Sequence, residues 1–227
     1  MTRAFQDRYE AGRLLGERLE KYAGQSDVIV LGLPRGGVPV AYEIAKHLRV
    51  SLDVFVVRKL GVPGFEELAI GAIASGGVRV LNEEVARILP NAEAVIGEAT
   101  AREQIELVRR EGLYRGDRSQ SLDLENRTVI LVDDGLATGA TMRAAVNALR
   151  QRGVGRIVVA VPVGAPETCR ELEGEVEETI CVISPDYFQA VGQFYEDFSQ
   201  TSDEEVRELL KRAQSWSPSS SATDTVA

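Results

Sequence analysis

Asp133 and Asp134 stand together at the end of the apolar run Val129-Ile130-Leu131-Val132, and Gly135-Leu136-Ala137-Thr138-Gly139-Ala140-Thr141 follows directly. Two adjacent carboxylates after a buried strand repel each other and gain nothing from a core, so the pattern asks for a ligand. In open α/β sheets ligands lie outside the carboxyl ends of strands, where this pair falls. The loop behind it offers backbone N–H groups and hydroxyls at a helix start. There the helix dipole favours an anion by about 1 kcal/mol or less per charge. Carboxylates for sugar hydroxyls and amides for phosphate describe a sugar-phosphate site; the plain alternative is an acidic turn leading into a Thr-Gly helix start. Two basic segments also follow apolar runs. Leu33-Pro34-Arg35-Gly36-Gly37 follows Val28 to Gly32, and its glycines let the backbone approach an anion. Arg58-Lys59 closes the run Asp53 to Val57. Taken alone, each could be surface charge.

The elements that must position these groups alternate. Leu14, Leu15 and Leu19 among charges predict an amphipathic helix over Phe5 to Tyr22. Val28 to Gly32 and Asp53 to Val57 read as buried strands, joined by a helix through Leu48, which makes a βαβ unit. The Gly- and Pro-rich stretch Lys59 to Gly77 reads as a long loop, with a hairpin ending near Val78 to Leu81. Val95, Ile96, Ala99, Ile105 and Val108 form an apolar stripe on a helix predicted over Asn91 to Tyr114. Thr128 to Val132 is the next strand, and Met142, Ala145, Val146 and Leu149 recur at helical spacing up to Gly153. Ile157 to Val161 is a strand, Pro166 to Leu172 a helix and Thr179 to Ile183 a strand. The fold class is α/β, a mostly parallel sheet flanked by helices with a small C-terminal hood.

The expected organisation is a single domain over 1–214, with its core at about 26–183 and a hood at about 184–200 completed by the N-terminal helix. The Ser/Thr-rich residues 215–227 read as a disordered tail. Tyr187, Phe188, Phe194, Tyr195 and Phe198 cluster in the hood, either packing it or presenting aromatic surface to a flat substrate. A capped helix, with Ser202 at its N-cap, follows at Asp203 to Ala213.

Of the 227 residues, 44% are hydrophobic and 27% charged, an ordinary globular composition. A net charge of −9 argues against any large nonspecific affinity for nucleic acid and leaves room for local basic sites. The charged start and the lack of a long apolar run argue against a signal peptide or membrane span, and predict a cytoplasmic chain. With one histidine, two cysteines and no CxxC pair, thiol nucleophiles, triads and protein-only zinc sites fall away. Cys169 and Cys181 read as inert thiols and His47 as a helix-surface residue.

The segment Val129 to Thr141 resembles the phosphoribosyl pyrophosphate (PRPP) motif of type I phosphoribosyltransferases: four apolar residues, two acids and a loop ending Thr-Gly-Ala-Thr. The order of elements from Val28 to Ile183 is similar to that family's core. The resemblance implies that Asp133 and Asp134 hold the ribose 2- and 3-hydroxyls, while Gly135, Leu136, Ala137, Thr138, Gly139, Ala140 and Thr141 cradle the 5-phosphate. It implies a pyrophosphate loop at Leu33, Pro34, Arg35, Gly36 and Gly37, and a second basic contact at Arg58 and Lys59. Asp133, Asp134, Arg35 and Lys59 would then carry catalysis. Mg²⁺ would be held mainly through PRPP and water, with no direct protein ligand assigned. The acceptor would lie in the hood near Tyr187, Phe188 and Tyr195, under a lid formed by Lys59 to Gly77 that brings Glu66 and Glu67. In 6-oxopurine members an Asp of the phosphate loop serves near the base; Ala137 stands there, so hypoxanthine and guanine fit poorly. The Leu-Ala-Thr-Gly string is more similar to adenine- and uracil-type loops. Family likeness also implies a homodimer, with PRPP and an acceptor as partners, and no nucleic acid or membrane. A PRPP-sensing regulator without transfer, or a phosphosugar hydrolase using water, shares the same motif.

Overall fold

The computed structural model describes residues 4–62, 65–116 and 122–216. In chain order its elements begin α1 (Arg8–Arg18), β1 (Val28–Gly32), α2 (Gly37–Leu48), β2 (Ser51–Val54), β3 (Val57–Val62), β4 (Phe65–Ala74) and β5 (Val78–Leu81). They continue α3 (Glu83–Ile88), α4 (Ala92–Arg115), β6 (Thr128–Val132), α5 (Ala140–Gln151), β7 (Arg156–Val163), α6 (Pro166–Glu173), β8 (Glu178–Ile183) and α7 (Asp203–Ala213).

The strands buried on both faces read as continuous apolar runs and form one parallel sheet of five, in the order β2-β1-β6-β7-β8. Alternation along each strand divides the core. Val30, Ile130 and Val158 pack with Leu15, Ile44 and Leu209 on one face. Ile29, Leu131 and Val159 pack with Met142, Leu149 and Leu172 on the other. Helices therefore cover both faces, as a doubly wound sheet requires.

Within 59–77, expected as a long loop, residues 59–62 and 65–74 belong instead to a second, antiparallel sheet of three strands, β3-β4-β5. The expected second buried strand is correspondingly divided. β2 ends at Val54, and the chain passes through Phe55 and Val56 into β3, so Arg58 and Lys59 lie within the second sheet. The Ser75 side chain secures this crossover, accepting from Val56 N at 2.9 Å. The small residues have a structural reason: Ile70, Ala72, Ile73 and Ala74 are all buried, so no polar alternation marks the strand. At Gly71 a Cβ would overlap the Val80 carbonyl. Residues 63 and 64 lie outside the described residues, and Glu66 and Glu67 belong to β4.

Three further expectations are corrected. On α4, Ile96 and Ala99 are buried, but Ile105 and Val108 are exposed; Leu107 and Tyr114 are buried in the core instead. Cys169 and Cys181 are joined in a disulfide, which Gly164 accommodates because a Cβ there would overlap Cys169 Sγ. At the chain's far end, Trp216 packs edge-on to Tyr42 at 5.2 Å, so the expected tail does not begin at 215. Residues 217–227 lie outside the described residues. His47 is at a helix surface, 2.6 Å from Glu20.

Candidate functional site

β1 leads to β2 on one side and β6 leads to β7 on the other, so the sheet order reverses between β1 and β6. A crevice for ligands opens at such a switch point. Gly32 is in register with Val132, which brings the loops after the two strands side by side. Leu33 N donates to the Val132 carbonyl at 2.8 Å, and Gly37 N to the Leu33 carbonyl at 3.0 Å. The glycines make this closeness possible. A Cβ on Gly37 would lie 2.6 Å from Val132 O and 2.9 Å from Asp133 Cα, and one on Gly36 would overlap the Asp134 carboxylate. The Pro34–Arg35 peptide is cis. Arg35 Nη1 lies 3.8 Å from Asp203 at the start of α7.

Asp133 Oδ1 accepts from Asp134 N at 2.9 Å. Burial and the neighbouring charge of Asp134 push the Asp133 carboxyl well above the usual carboxylate range. Burial also raises Asp134, and Arg8 opposes that rise. Arg8, which the sequence pattern did not single out, meets this pair. It extends from the first turn of α1, with Nε and Nη2 both 2.8 Å from Asp134 Oδ2. As one of several charges on an amphipathic helix, it carried no distinguishing signal.

The loop after Asp134 is pinned to its neighbours. Leu136 N donates to Val163 O and Ala165 N to Leu136 O, both at 2.8 Å. Thr168 Oγ1 donates to Ala137 O at 2.7 Å, and Arg143 to Thr138 O at 2.8 Å. Gly139, at φ 73°, turns the chain into α5, whose first N–H groups have no intrahelical acceptors. Ala137, Thr138, Ala140 and Thr141 are exposed there, a cradle suited to phosphate.

Lys59 lines a cleft of about 350 Å³ between the second sheet and α5, together with Ala140, Thr141 and Asn147. Arg58 departs from expectation. Its guanidinium is bound to Glu103 of α4, at 3.0 and 2.7 Å, which ties β3 to that helix. The aromatic residues also diverge. Tyr187 is exposed, while Phe188 stacks on Phe194 at 5.8 Å. Tyr195 is buried between Phe5 and Phe198, and its hydroxyl donates to the Asp134 carbonyl at 2.6 Å. Tyr195 therefore supports the acidic pair and offers no open ring face to an acceptor.

The sequence pattern of the phosphoribosyl transferase domain matches residues 6–199. The chain belongs to that family. A Mycobacterium tuberculosis protein named for phosphoribosyl transferase is 48% identical over 209 residues, covering 92% of this chain and 47% of its own length. The chain thus spans about half the length of that relative. The crystal structure of TT1426 from Thermus thermophilus is 41% identical, with a TM-score of 0.82, covering 95% of this chain and all of that one. A uracil phosphoribosyltransferase of Lactobacillus delbrueckii subsp. bulgaricus is 31% identical over 142 residues, 60% of this chain and 64% of its own. Among the described residues of this phosphoribosyl transferase domain, no helix is long and apolar enough to cross a membrane.

Proposed function

We propose that the protein transfers the 5-phosphoribosyl group of PRPP to a nucleobase acceptor and releases pyrophosphate. The observation that carries this reading is the meeting of Asp133 and Asp134 with the Gly36-Gly37 loop across the switch point. In this reading the two carboxylates bind the ribose 2- and 3-hydroxyls, and Gly135 to Thr141 bind the 5-phosphate with the dipole of α5 behind them. The backbone of 33–37 and Arg35 take the pyrophosphate, and Lys59 adds positive charge from the cleft beside Thr141. As the C1–O bond breaks, its electron pair leaves with pyrophosphate, an acceptor nitrogen forms the new bond to C1, and the proton that nitrogen carried passes to solvent or the departing pyrophosphate. The sugar carries oxocarbenium character between the two events, as in glycoside hydrolysis. The protein's part is positioning and charge stabilisation, which needs no His or Cys.

A hard divalent cation suits the oxygen donors of this strand end. Mg²⁺, carried mainly by PRPP oxygens and water beside Asp133 and Asp134, would neutralise the departing pyrophosphate. A uracil-type acceptor agrees with Ala137 in the phosphate loop and with the uracil phosphoribosyltransferase relative.

The deciding assay is pyrophosphate release from PRPP and Mg²⁺ with single bases, comparing wild type with Asp133→Asn/Asp134→Asn. Base-dependent release, reduced about 100-fold or more in the double variant, is expected. Release without any base would make water the acceptor, and PRPP binding without release would make the protein a sensor. Either result overturns base transfer.

A further inference from the structure

Arg8 occupies the first turn of α1, where a charged side chain ordinarily faces water, yet it is only 9% exposed. Its guanidinium is engaged on three sides. Nε and Nη2 meet Asp134 Oδ2, and Nη1 donates to the Ser199 carbonyl at 2.7 Å. The group also lies 4.0 Å from the centroid of the Phe198 ring, a cation–π contact. Asp7 fixes the helix start that aims it, accepting from Glu10 N at 2.8 Å. Asp134 is held at its main chain as well, through Tyr195.

The pairing geometry is informative. A guanidinium that recognises a carboxylate for its own sake commonly uses both oxygens in a fork. Here both nitrogens fall on Oδ2, so the Arg8 pair leaves Oδ1 outside the ion pair. One oxygen is fixed by the protein, and the other remains for a hydroxyl.

Resting on the PRPP reading above, we propose that Arg8 is a positioning residue of the sugar site: it holds Asp134 through Oδ2, leaves Oδ1 as the oxygen that meets the ribose hydroxyls, and ties that orientation to residues 195–199. The α1 start and the aromatic segment at the other end of the chain thereby act on the sugar half of the site. The pyrophosphate half, on residues 33–37, packs against Asp134 at Gly36, but in this assignment it draws its anion contacts from its own backbone and Arg35.

Calorimetric titration of ribose 5-phosphate and pyrophosphate, each alone, tests this assignment in wild type, Arg8→Ala, Arg8→Lys, Asp134→Asn and Arg8→Ala/Asp134→Asn. Arg8→Ala is expected to weaken ribose 5-phosphate about 10- to 100-fold, with pyrophosphate changed by less than about twofold. Arg8→Lys should restore part of the loss. In the Asp134→Asn background, Arg8→Ala should add nothing.

The pH profile separates positioning from bulk structure. The titratable groups against Asp134 are Arg8, Asp133 and Tyr195, with Asp7 near Tyr195. Without Arg8, the charge that most opposes the burial-driven rise of Asp134 is gone, so the Arg8→Ala deficit relative to wild type should grow as pH falls from about 8.5 to 5.5. Arg8→Lys should follow the wild-type profile. If Arg8→Ala does not fold, Arg8→Lys and Tyr195→Phe carry the test; the latter keeps the ring packing and removes the hydroxyl on the Asp134 carbonyl. Each should weaken ribose 5-phosphate and spare pyrophosphate. Equal losses of both ligands, no loss of either, or full additivity with Asp134→Asn would overturn the role of Arg8. A wild type that binds pyrophosphate but not ribose 5-phosphate would overturn the sugar-phosphate reading itself, and the role with it.

Discussion

Replacing Gly37 with alanine tests whether the spacing of the two loops creates the site. The added methyl would lie 2.6 Å from the Val132 carbonyl and 2.9 Å from Asp133 Cα, whereas ordinary contact begins at 3.4 Å. Both obstacles are backbone, so neither can swing aside; the loops must part by about 0.8 Å, the shortfall at Val132. Overpacking of this kind costs about 1–3 kcal/mol. For a chain of this size each kcal/mol lowers the melting temperature by about 2–4 °C, giving a drop of about 2–12 °C. Function should suffer more, because a misplacement near 1 Å in a preorganised site costs on the order of 100-fold. Scanning fluorimetry without ligand and calorimetric titration with PRPP measure the two effects. Gly97→Ala is the matched control: nothing lies within 4 Å of that position on α4, and the change should stabilise by about 0.5–1 kcal/mol. A Gly37→Ala protein that melts within about a degree of wild type and binds PRPP equally would refute the reasoning.

The raised carboxyl of Asp133 means the folded protein retains a proton that the unfolded chain has already lost, so stability declines as pH climbs from the ordinary carboxylate range toward that raised value. Asp133→Asn should therefore melt higher than wild type at neutral pH, with a flatter pH dependence, while losing PRPP binding; a lower melting point at neutral pH contradicts this. Reducing Cys169–Cys181, whose sequence separation is 12, should remove about 3 kcal/mol of stability by the chain-entropy relation. Urea unfolding with and without dithiothreitol measures the difference, and coincident curves would show that the bond contributes nothing. Arg58→Gln should leave PRPP affinity unchanged and cost less than about 1 kcal/mol, since the pair with Glu103 is partly exposed. A large loss of affinity in titration would return Arg58 to the ligand.

The parallel sheet was legible because Val28 to Gly32 and Thr128 to Val132 are buried on both faces, and full burial writes itself as an unbroken apolar run. The acidic strand end was legible for a related reason, as charge placed where burial alone gives no motive. The second sheet was not. β4 achieves burial with alanine and glycine, and Gly71 is demanded by the approach of Val80, so a strand took on the composition of a loop. Arg58 and Lys59 were misplaced with it, since moving a strand boundary from Val57 to Val54 transfers both residues to another sheet. Arg8 and Tyr195 derive their meaning from contacts with Asp134 across 126 and 61 residues, which no local pattern encodes. The cysteine pair fits no motif spacing and depends on α6 meeting β8 over a glycine.

The grip on Asp134 also has a place in the order of synthesis. A chain emerging from its N-terminus exposes Phe5 and Arg8 early, and every strand of the parallel sheet is available once Ile183 has followed. Tyr195, Phe198 and Ser199 come later still. A segment ending at Ile183 would hold every strand of the sheet yet lack both Leu209 of α7 against one face and the partners that orient Asp134. The sheet and the sugar half of the site thus draw on different stretches of sequence, the latter on a segment beyond the last strand whose backbone and aromatic side chains meet Arg8 and Asp134.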